Sequence, residues 1–220
     1  MTRRKTPISQ NVARSLAERL IETLPSGLPG LFNPWKDRCL FDVESDAPDA
    51  RRERLARHLD CDPAFILVGE APGYQGCRYS GVAFTSERLL IEGAIPRIPQ
   101  LSDRLSTRSL PFSEPSATIV WKTLERLGIA ERTILWNAVQ LHPHPVDKPW
   151  SNRTPTAKEL GLGAAAVSLL TAAFPSAGIV AVGRKAECQM MALGITPLAT
   201  LRHPAYGGAA AFAAGLEALM

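Results

Sequence analysis

The sequence predicts an α/β fold, a three-layer α/β/α sandwich around a central, mainly parallel sheet of four strands. Four short segments are apolar at almost every position, a pattern typical of parallel strands that are covered on both faces. Segments with the helical spacing of apolar residues separate them, and this alternation indicates strand–helix–strand units. The 220 residues, 45% of them hydrophobic, are enough to bury the core of such a domain.

The order of the elements along the chain follows from these patterns. Helical spacing predicts helices over residues 11–23 and 49–59, with a loop rich in proline and glycine between them. The apolar runs predict strands over residues 65–68, 133–139, 178–183 and 197–201. Further helices are expected over residues 116–127, 156–174, 185–193 and 208–219.

The composition limits the class of protein. No apolar run approaches the roughly 20 residues that a membrane-spanning helix needs. The basic residues near the N-terminus are not followed by an apolar block, so we expect no secretory signal and predict a cytoplasmic location. The net charge of +4 and the pI near 9.0 are compatible with a polyanionic partner such as nucleic acid.

The residues that follow the strands can carry chemistry. A glycine-rich loop with a carboxylate, Glu70, follows the first strand, Asn137 lies in the second, and His203 follows the last. Since ligand sites in such sheets lie beyond the carboxyl ends of the strands, these three side chains predict a catalytic constellation. Each alone also has a structural explanation, as a solvated loop carboxylate, a turn-capping amide and a core histidine.

Together and in this order, the segments resemble the uracil-DNA glycosylase superfamily over residues 65–212. GEAPG, which starts at residue 69, is similar to the first motif of family 4, and RYSGVAFTSE, which ends at residue 87, is similar to that of family 5. WNAV stands in the place of the asparagine motif, and SNRTPTAKEL resembles the family 4 segment that follows it. RHPAYGG stands in the place of the histidine–proline motif.

This resemblance implies a DNA-repair enzyme. It would flip uracil out of single- or double-stranded DNA, hydrolyse the N-glycosidic bond and leave an abasic site for base excision repair, with a broader range of damaged bases left open. The resemblance places the catalytic domain at residues 61–220 and leaves residues 1–60 as an N-terminal helical extension, which we expect to pack on the core. A monomer is expected.

The resemblance also implies two catalytic residues. Glu70 matches the acidic residue of the family 4 motif and would stabilise the sugar cation and orient the attacking water. Glu87 is the alternative, because it aligns with the aspartate that closes the family 5 motif. His203 would act as a neutral imidazole and donate a hydrogen bond to the charge that develops on uracil O2.

A set of residues near these is implied to bind the base. The set comprises Gly69, Ala71, Gly73, Phe84 and Asn137. The Asn137 carboxamide can accept from uracil N3–H and donate to O4, whereas cytosine presents the opposite pattern and would leave buried groups mismatched. Phe84 would provide the flat apolar surface on which the flipped base stacks.

The loops around this pocket are implied to hold DNA. The expected contacts are Pro72, Tyr74, Arg78, Ser86, Arg202, Pro204, Tyr206, Gly207 and Gly208. Backbone amides and polar side chains in such loops grip phosphates without reading sequence. Tyr206 stands in the loop that enters the duplex as a wedge, where other members of the superfamily carry a leucine.

The chain departs from the resemblance at its cysteines. Families 4 and 5 typically hold an iron–sulfur cluster through four cysteines, whereas the chain has Cys39, Cys61, Cys77 and Cys188 without that spacing. Leu141 and Gly163 stand in two of the ligand places. We therefore expect no cluster, no other cofactor and no metal.

Two further positions bear on DNA and on base choice. His142 and His144 have no cysteine or carboxylate at metal-site spacing, so they are expected to line the DNA cleft. Gly73 stands where family 1 enzymes carry a tyrosine that blocks a C5 methyl group, and base selectivity is open for that reason.

Two other functions compete with this interpretation. One is a thiol hydrolase that uses Cys77 and His203. The other is a non-catalytic module of the same fold that binds damaged or single-stranded DNA.

Overall fold

The structure, a computed structural model, describes residues 10–43 and 47–220 of the chain. Within them the strands are β1 (Leu31–Phe32), β2 (Phe65–Gly69), β3 (Thr133–Asn137), β4 (His142–Pro143), β5 (Gly178–Val182) and β6 (Ala199–Leu201). The helices are α1 (Gln10–Glu22), α2 (Ala47–Leu59), α3 (Cys77–Ser80), α4 (Glu87–Ile91), α5 (Pro115–Arg126), α6 (Ala157–Leu162), α7 (Ala164–Ala173), α8 (Arg184–Ala192) and α9 (Ala209–Glu217).

The central sheet has four parallel strands in the order β3-β2-β5-β6. In its register Gly69 at the end of β2 lies opposite Asn137 at the end of β3. The predicted α/β fold with a four-stranded parallel sheet is therefore confirmed. Parallel strands place all their carboxyl ends at one edge of the sheet, which is where the predicted functional residues follow them.

Both faces of the sheet are covered by helices, because each strand alternates its apolar side chains between two buried layers. On one face Val68 and Trp136 pack with residues of α1, α2, α7 and α8. On the other face Leu67 and Leu135 pack with residues of α5 and α9. All four of these strand residues are almost fully buried, so the sandwich has a core on each side of the sheet.

The loop after β2 contains structure that periodicity did not predict. It forms the short helices α3 and α4, which are too brief to show a helical repeat in sequence. A two-stranded antiparallel pair, β1 with β4, likewise consists of only two residues on each side. The predicted helix over residues 156–174 is divided at Gly163, where a Cβ atom would lie 2.1 Å from the carbonyl oxygen of Ala138.

The N-terminal helices lie against the sheet. Leu16 and Leu20 of α1 and Leu59 of α2 belong to the core on one face of it. The division into an extension, residues 1–60, and a catalytic domain, residues 61–220, stays a prediction, and residues 1–9 and 44–46 lie outside the described ranges. Among the described helices, none has the length and apolarity to cross a membrane.

Candidate active site

The ends of β2 and β3 bring two of the predicted residues side by side. The amide of Ala138 donates to the carbonyl of Gly69 over 2.8 Å, and the amide of Val139 donates to the carbonyl of Glu70 over 3.1 Å. The parallel pairing thus continues just past the strands, and it holds Glu70 beside the segment that carries Asn137.

Phe84 closes over this junction. A Cβ atom at Gly69 would lie 2.5 Å from Phe84 Cζ and 3.0 Å from Asn137 Oδ1, so only glycine fits there. The Phe84 backbone has φ of +49°, a region that bulky residues rarely adopt. Phe84 is held in a strained conformation that places its ring over Gly69, where the Asn137 side chain also lies.

His203 reaches the same place from the last strand. Its ring lies 5.9 Å from the Phe84 ring, centroid to centroid, with 35° between the planes. Nδ1 of His203 accepts the amide of Ala205 over 3.2 Å, so the neutral ring carries its proton on Nε2. Burial lowers the pKa of His203 below its ordinary value, which keeps the imidazole neutral at physiological pH.

The Asn137 side chain is buried, with 5% exposure, and makes no hydrogen bond within the described part of the chain. Its backbone carbonyl, by contrast, accepts from Nε2 of Gln140 over 2.6 Å. Neither Oδ1 nor Nδ2 of Asn137 is among the fully buried, unpaired polar atoms of the described residues, so both are free to meet a ligand. A ligand with a complementary edge would satisfy both atoms.

Glu70 is more open than its neighbours. Its side chain is 37% exposed, and Oε1 lies 3.8 Å from Nζ of Lys185. The Lys185 ammonium also donates to the carbonyl of Pro155 over 3.1 Å, which anchors the cation beside the carboxylate. Sequence reasoning missed Lys185, because a lysine at the start of a helix gives no sign of which loop it will face.

Glu87, the alternative acid, is fully buried, and its carboxylate is hydrogen-bonded within the protein. Its carboxylate accepts from Arg104 Nε over 2.8 Å, from Ser106 Oγ over 2.9 Å, and from the amides of Leu105 and Phe112 over 2.8 Å each. Burial alone would raise its pKa, but these hydrogen bonds together hold the pKa of Glu87 below the ordinary value. The carboxylate ties the segment from Arg104 to Phe112 to the end of the loop, and all its oxygens are engaged.

Two of the expected DNA contacts need correction, because their side chains are inside the protein. The guanidinium of Arg78 lies 3.8 Å from the Phe32 ring centroid and donates to Nδ1 of His142 over 2.9 Å. Ser86 has no exposed surface. Neither side chain can reach a phosphate in this conformation.

The two histidines after β3 are also interior rather than cleft-lining. His142 is fully buried, and burial together with the nearby Arg78 charge lowers its pKa to about 3. His144 is 9% exposed, and its ring lies 5.2 Å from that of His142, centroid to centroid. They were expected at the DNA cleft, but the Arg78 cation beneath them and the strand pair β1–β4 enclose them.

The remaining expected contacts lie in the loops near Phe84 and His203. Tyr206 is 99% exposed with φ of +51°, and Arg202 is exposed beside it, with a long hydrogen bond of 3.4 Å to the Tyr206 carbonyl. Gly208 is required here, because a Cβ atom would lie 2.0 Å from the carbonyl of His203. Tyr74 is half-buried, and its amide donates to Asn152 Oδ1 over 2.9 Å.

Several of the expected contact residues contribute through their backbone rather than through a long side chain. Gly207 is exposed with φ of +77°, Pro72 and Pro204 are buried, and Ala71 and Gly73 are half-buried in the loop. These positions shape the two loops that flank Phe84 and His203.

The expected absence of an iron–sulfur cluster stays a prediction. Among the described residues, no group of three or more cysteine, histidine or acidic side chains could hold a metal ion. The carbonyl of Ala138 leaves no room for a side chain at Gly163, one of the ligand places. Burial raises the pKa of the Cys77 thiol far above its ordinary value, which disfavours the thiolate that a thiol hydrolase would need.

Comparison with known proteins identifies a matching family and a similar fold. The family described as the uracil DNA glycosylase superfamily matches residues 56–215. Among solved structures, wild-type SMUG2 of Pedobacter heparinus matches with a TM-score of 0.61 and 18% sequence identity, over 93% of this chain and 97% of that chain. At this identity the likeness concerns the fold. None of the curated proteins matches.

Proposed function

We propose that this chain, which belongs to the uracil DNA glycosylase superfamily, excises uracil from DNA by hydrolysing the N-glycosidic bond and leaves an abasic site. Membership of the superfamily makes it a DNA glycosylase, a hydrolase of DNA repair that acts on DNA. The choice of uracil rests on one observation, the carboxamide of Asn137, which lies near the ring of Phe84 and has no hydrogen-bond partner among the described residues.

Asn137 would read the flipped base. Its Oδ1 accepts from uracil N3–H, and its Nδ2 donates to O4, while the base lies flat against Phe84. Cytosine carries an acceptor at N3 and a donor at C4, so it would face both groups with the wrong partner. A buried mismatch of this kind costs about 1–3 kcal/mol for each unsatisfied group.

Glu70 would act on the sugar side of the base. As the bond from C1′ to N1 breaks, positive charge develops on the sugar, and the nearby carboxylate stabilises it. The same carboxylate orients the water that adds to C1′ and takes up its proton. The exposure of Glu70 suits this task, because a water molecule and the sugar both need access to its oxygens.

His203 would stabilise the departing base. The electron pair of the breaking bond moves into the uracil ring, and negative charge gathers on O2. Nε2–H of the neutral imidazole can donate to that oxygen, since Nδ1 is already occupied by the Ala205 amide. One such donor contributes about 3 kcal/mol in comparable oxyanion sites.

The surroundings support a DNA substrate. Arg202 and Tyr206 are exposed beside His203, where they can meet a phosphate and the gap left by the flipped base. We propose that the enzyme works as a monomer, without a metal or other cofactor, on uracil in single- or double-stranded DNA.

The experiment is product analysis over a panel of single-lesion oligonucleotides, single- and double-stranded, in the presence of a chelator. Free uracil and an abasic site are expected from the uracil oligonucleotide. DNA binding without release of any base would overturn the proposal and support a non-catalytic binding module of the same fold.

A further inference from the structure

Glu114 is a carboxylate that the proposed chemistry does not use, although it lies on the first loop of the pocket. It stands at the N-terminal end of α5. Its Oε2 lies 1.7 Å from where a Cβ atom at Gly76 would be and 3.7 Å from where one at Gly73 would be. The two glycines therefore leave the space that this carboxylate fills.

The hydrogen bonding of Glu114 is one-sided. Oε1 accepts from Ser116 Oγ over 2.6 Å, whereas Oε2 has no donor within the described residues. Burial raises the pKa of Glu114 above its ordinary value, as expected for a carboxyl group that lacks enough donors. Glu114 is half-buried, and Oε2 is not among the fully buried, unpaired polar atoms of the described residues, so the hydrogen-bond donor of a ligand can reach it.

The position of Glu114 relative to the base follows from the topology and rests on the proposed function. If Asn137 reads N3–H and O4, and His203 contacts O2, then C5 points to the side of the pocket away from His203. Asn137 ends β3, the outer strand on one side of the sheet. His203 follows β6, the outer strand on the other side. C5 would then face the β3 side.

Glu114 lies on that side. The helix α5 precedes β3 and runs antiparallel to the strands of the sheet. Its N-terminal end therefore lies near the carboxyl ends of the strands, where the proposed base site is. The turn that Glu114 contacts is also tied to the β3 side, because Asn152, after β4, accepts the Tyr74 amide over 2.9 Å. The carbonyl of Thr85, next to Phe84, lies 3.3 Å from the same point at Gly76.

We propose that Glu114 is a specificity-determining residue that reads the C5 position of the pyrimidine. A methyl group at C5, as in thymine, would cover the free carboxyl oxygen without offering it a donor. A hydroxymethyl group at the same position would donate to it. Gly73 provides the room, and Glu114 decides what may occupy it.

The test measures base release under single-turnover conditions from oligonucleotides that carry uracil, thymine or 5-hydroxymethyluracil opposite guanine. Wild type is compared with Glu114→Ala and with Glu114→Asp, which places a residue type favoured at helix N-caps there and withdraws the carboxylate from Gly73. The readout is the ratio of rates on two bases for one variant, so a loss of overall activity or of folded protein cancels.

Wild type is expected to release 5-hydroxymethyluracil at least about tenfold faster than thymine. In both variants this ratio should fall toward one, and the preference for uracil over thymine should fall about tenfold. The control Glu92→Gln, on the outer surface, should leave both ratios unchanged.

Failure takes two distinguishable forms. If wild type releases uracil but the ratios are the same in wild type and in both Glu114 variants, Glu114 does not read C5, and the uracil function stands. The same conclusion follows if wild type releases uracil but no 5-hydroxymethyluracil. If wild type releases no uracil, the proposed function itself fails.

Discussion

The two ends of the loop after β2 each carry a glutamate, and the two differ in what surrounds them. Glu87, at the far end, is fully buried, and donors from Arg104, Leu105, Ser106 and Phe112 occupy its oxygens. Glu70, at the near end, has a partly exposed carboxylate, with Nζ of Lys185 3.8 Å from Oε1. The first arrangement stabilises the fold, and the second leaves oxygens free for a reaction.

The same difference separates two groups of polar side chains across the molecule. In the scaffold, Arg51 pairs with Asp42 over 2.8 Å with both side chains almost fully buried, and Arg78 donates to His142. In the pocket, the Asn137 carboxamide and one oxygen of Glu114 have no partner among the described residues. These scaffold side chains bind one another, although Nε of Arg78 is itself unpaired, whereas Asn137 and Glu114 keep polar atoms that a ligand can bind.

The largest expected effect is the loss of uracil release on substitution of Glu70. Glu70→Gln keeps the shape of the side chain and removes its charge, so uracil release should fall by about 100- to 10,000-fold. The midpoint of thermal unfolding should not change, because the Glu70 side chain is partly exposed and its nearest charged partner, Lys185, lies 3.8 Å away. Single-turnover kinetics and thermal melts of the same preparation check both statements, and equal rates in variant and wild type would remove Glu70 from the mechanism.

His203→Ala should lower uracil release by about 100- to 1,000-fold, the usual effect of losing one donor to a developing oxyanion. Since the neutral ring is the donor and burial lowers its pKa, wild-type activity should persist below pH 6.5 as far as His203 is concerned. A pH profile of the single-turnover rate tests this. Loss of activity with a midpoint above pH 6.5 that disappears in the variant would contradict it.

Glu87→Gln should act on stability instead. The side-chain amide of the variant would place an N–H group opposite donors that now bind the carboxylate. Loss of the charge pair between Glu87 and Arg104 costs about 3–5 kcal/mol if it behaves as a buried pair. Denaturant unfolding measures the loss. The fraction of protein that remains folded should release uracil at close to the wild-type rate, and a selective loss of catalysis without loss of stability would restore Glu87 as the acid.

The smallest expected effect is acid sensitivity from His58, which is fully buried and accepts the Leu135 amide over 2.8 Å. Burial, with the nearby Arg97 charge, lowers the pKa of His58 well below 6.5, so below that pH only the unfolded chain takes up this proton. As the pH falls below 6.5, His58 should therefore lower the free energy of unfolding by up to about 1.4 kcal/mol for each pH unit. His58→Gln should make that decline shallower between pH 6.5 and 5, and an unchanged slope would refute the assignment.

The sequence predicted the framework of the site well. The four strands follow from continuous apolar runs, and their carboxyl ends locate Glu70, Asn137 and His203 because parallel strands share that edge. Short elements such as α3 and α4 were beyond reach, since four or five residues do not establish a period.

Side-chain surroundings could not be predicted in the same way. Arg78 and Glu87 lie in the same loop as Glu70, and nothing in their residue types shows that their partners are His142 and Arg104, distant in sequence. Glu114 was missed for the same reason, because its contact with Gly76 depends on how a helix end meets the loop.

The rate of uracil release by Asn137→Ala tests the central claim most directly. Wild type should convert a single-uracil oligonucleotide to free uracil and an abasic site. The variant should do so at least about 100-fold more slowly, because two hydrogen bonds to the base are lost. No loss of stability is expected, because the Asn137 side chain makes no hydrogen bond within the described protein. Uracil release by the variant at the wild-type rate would contradict the account.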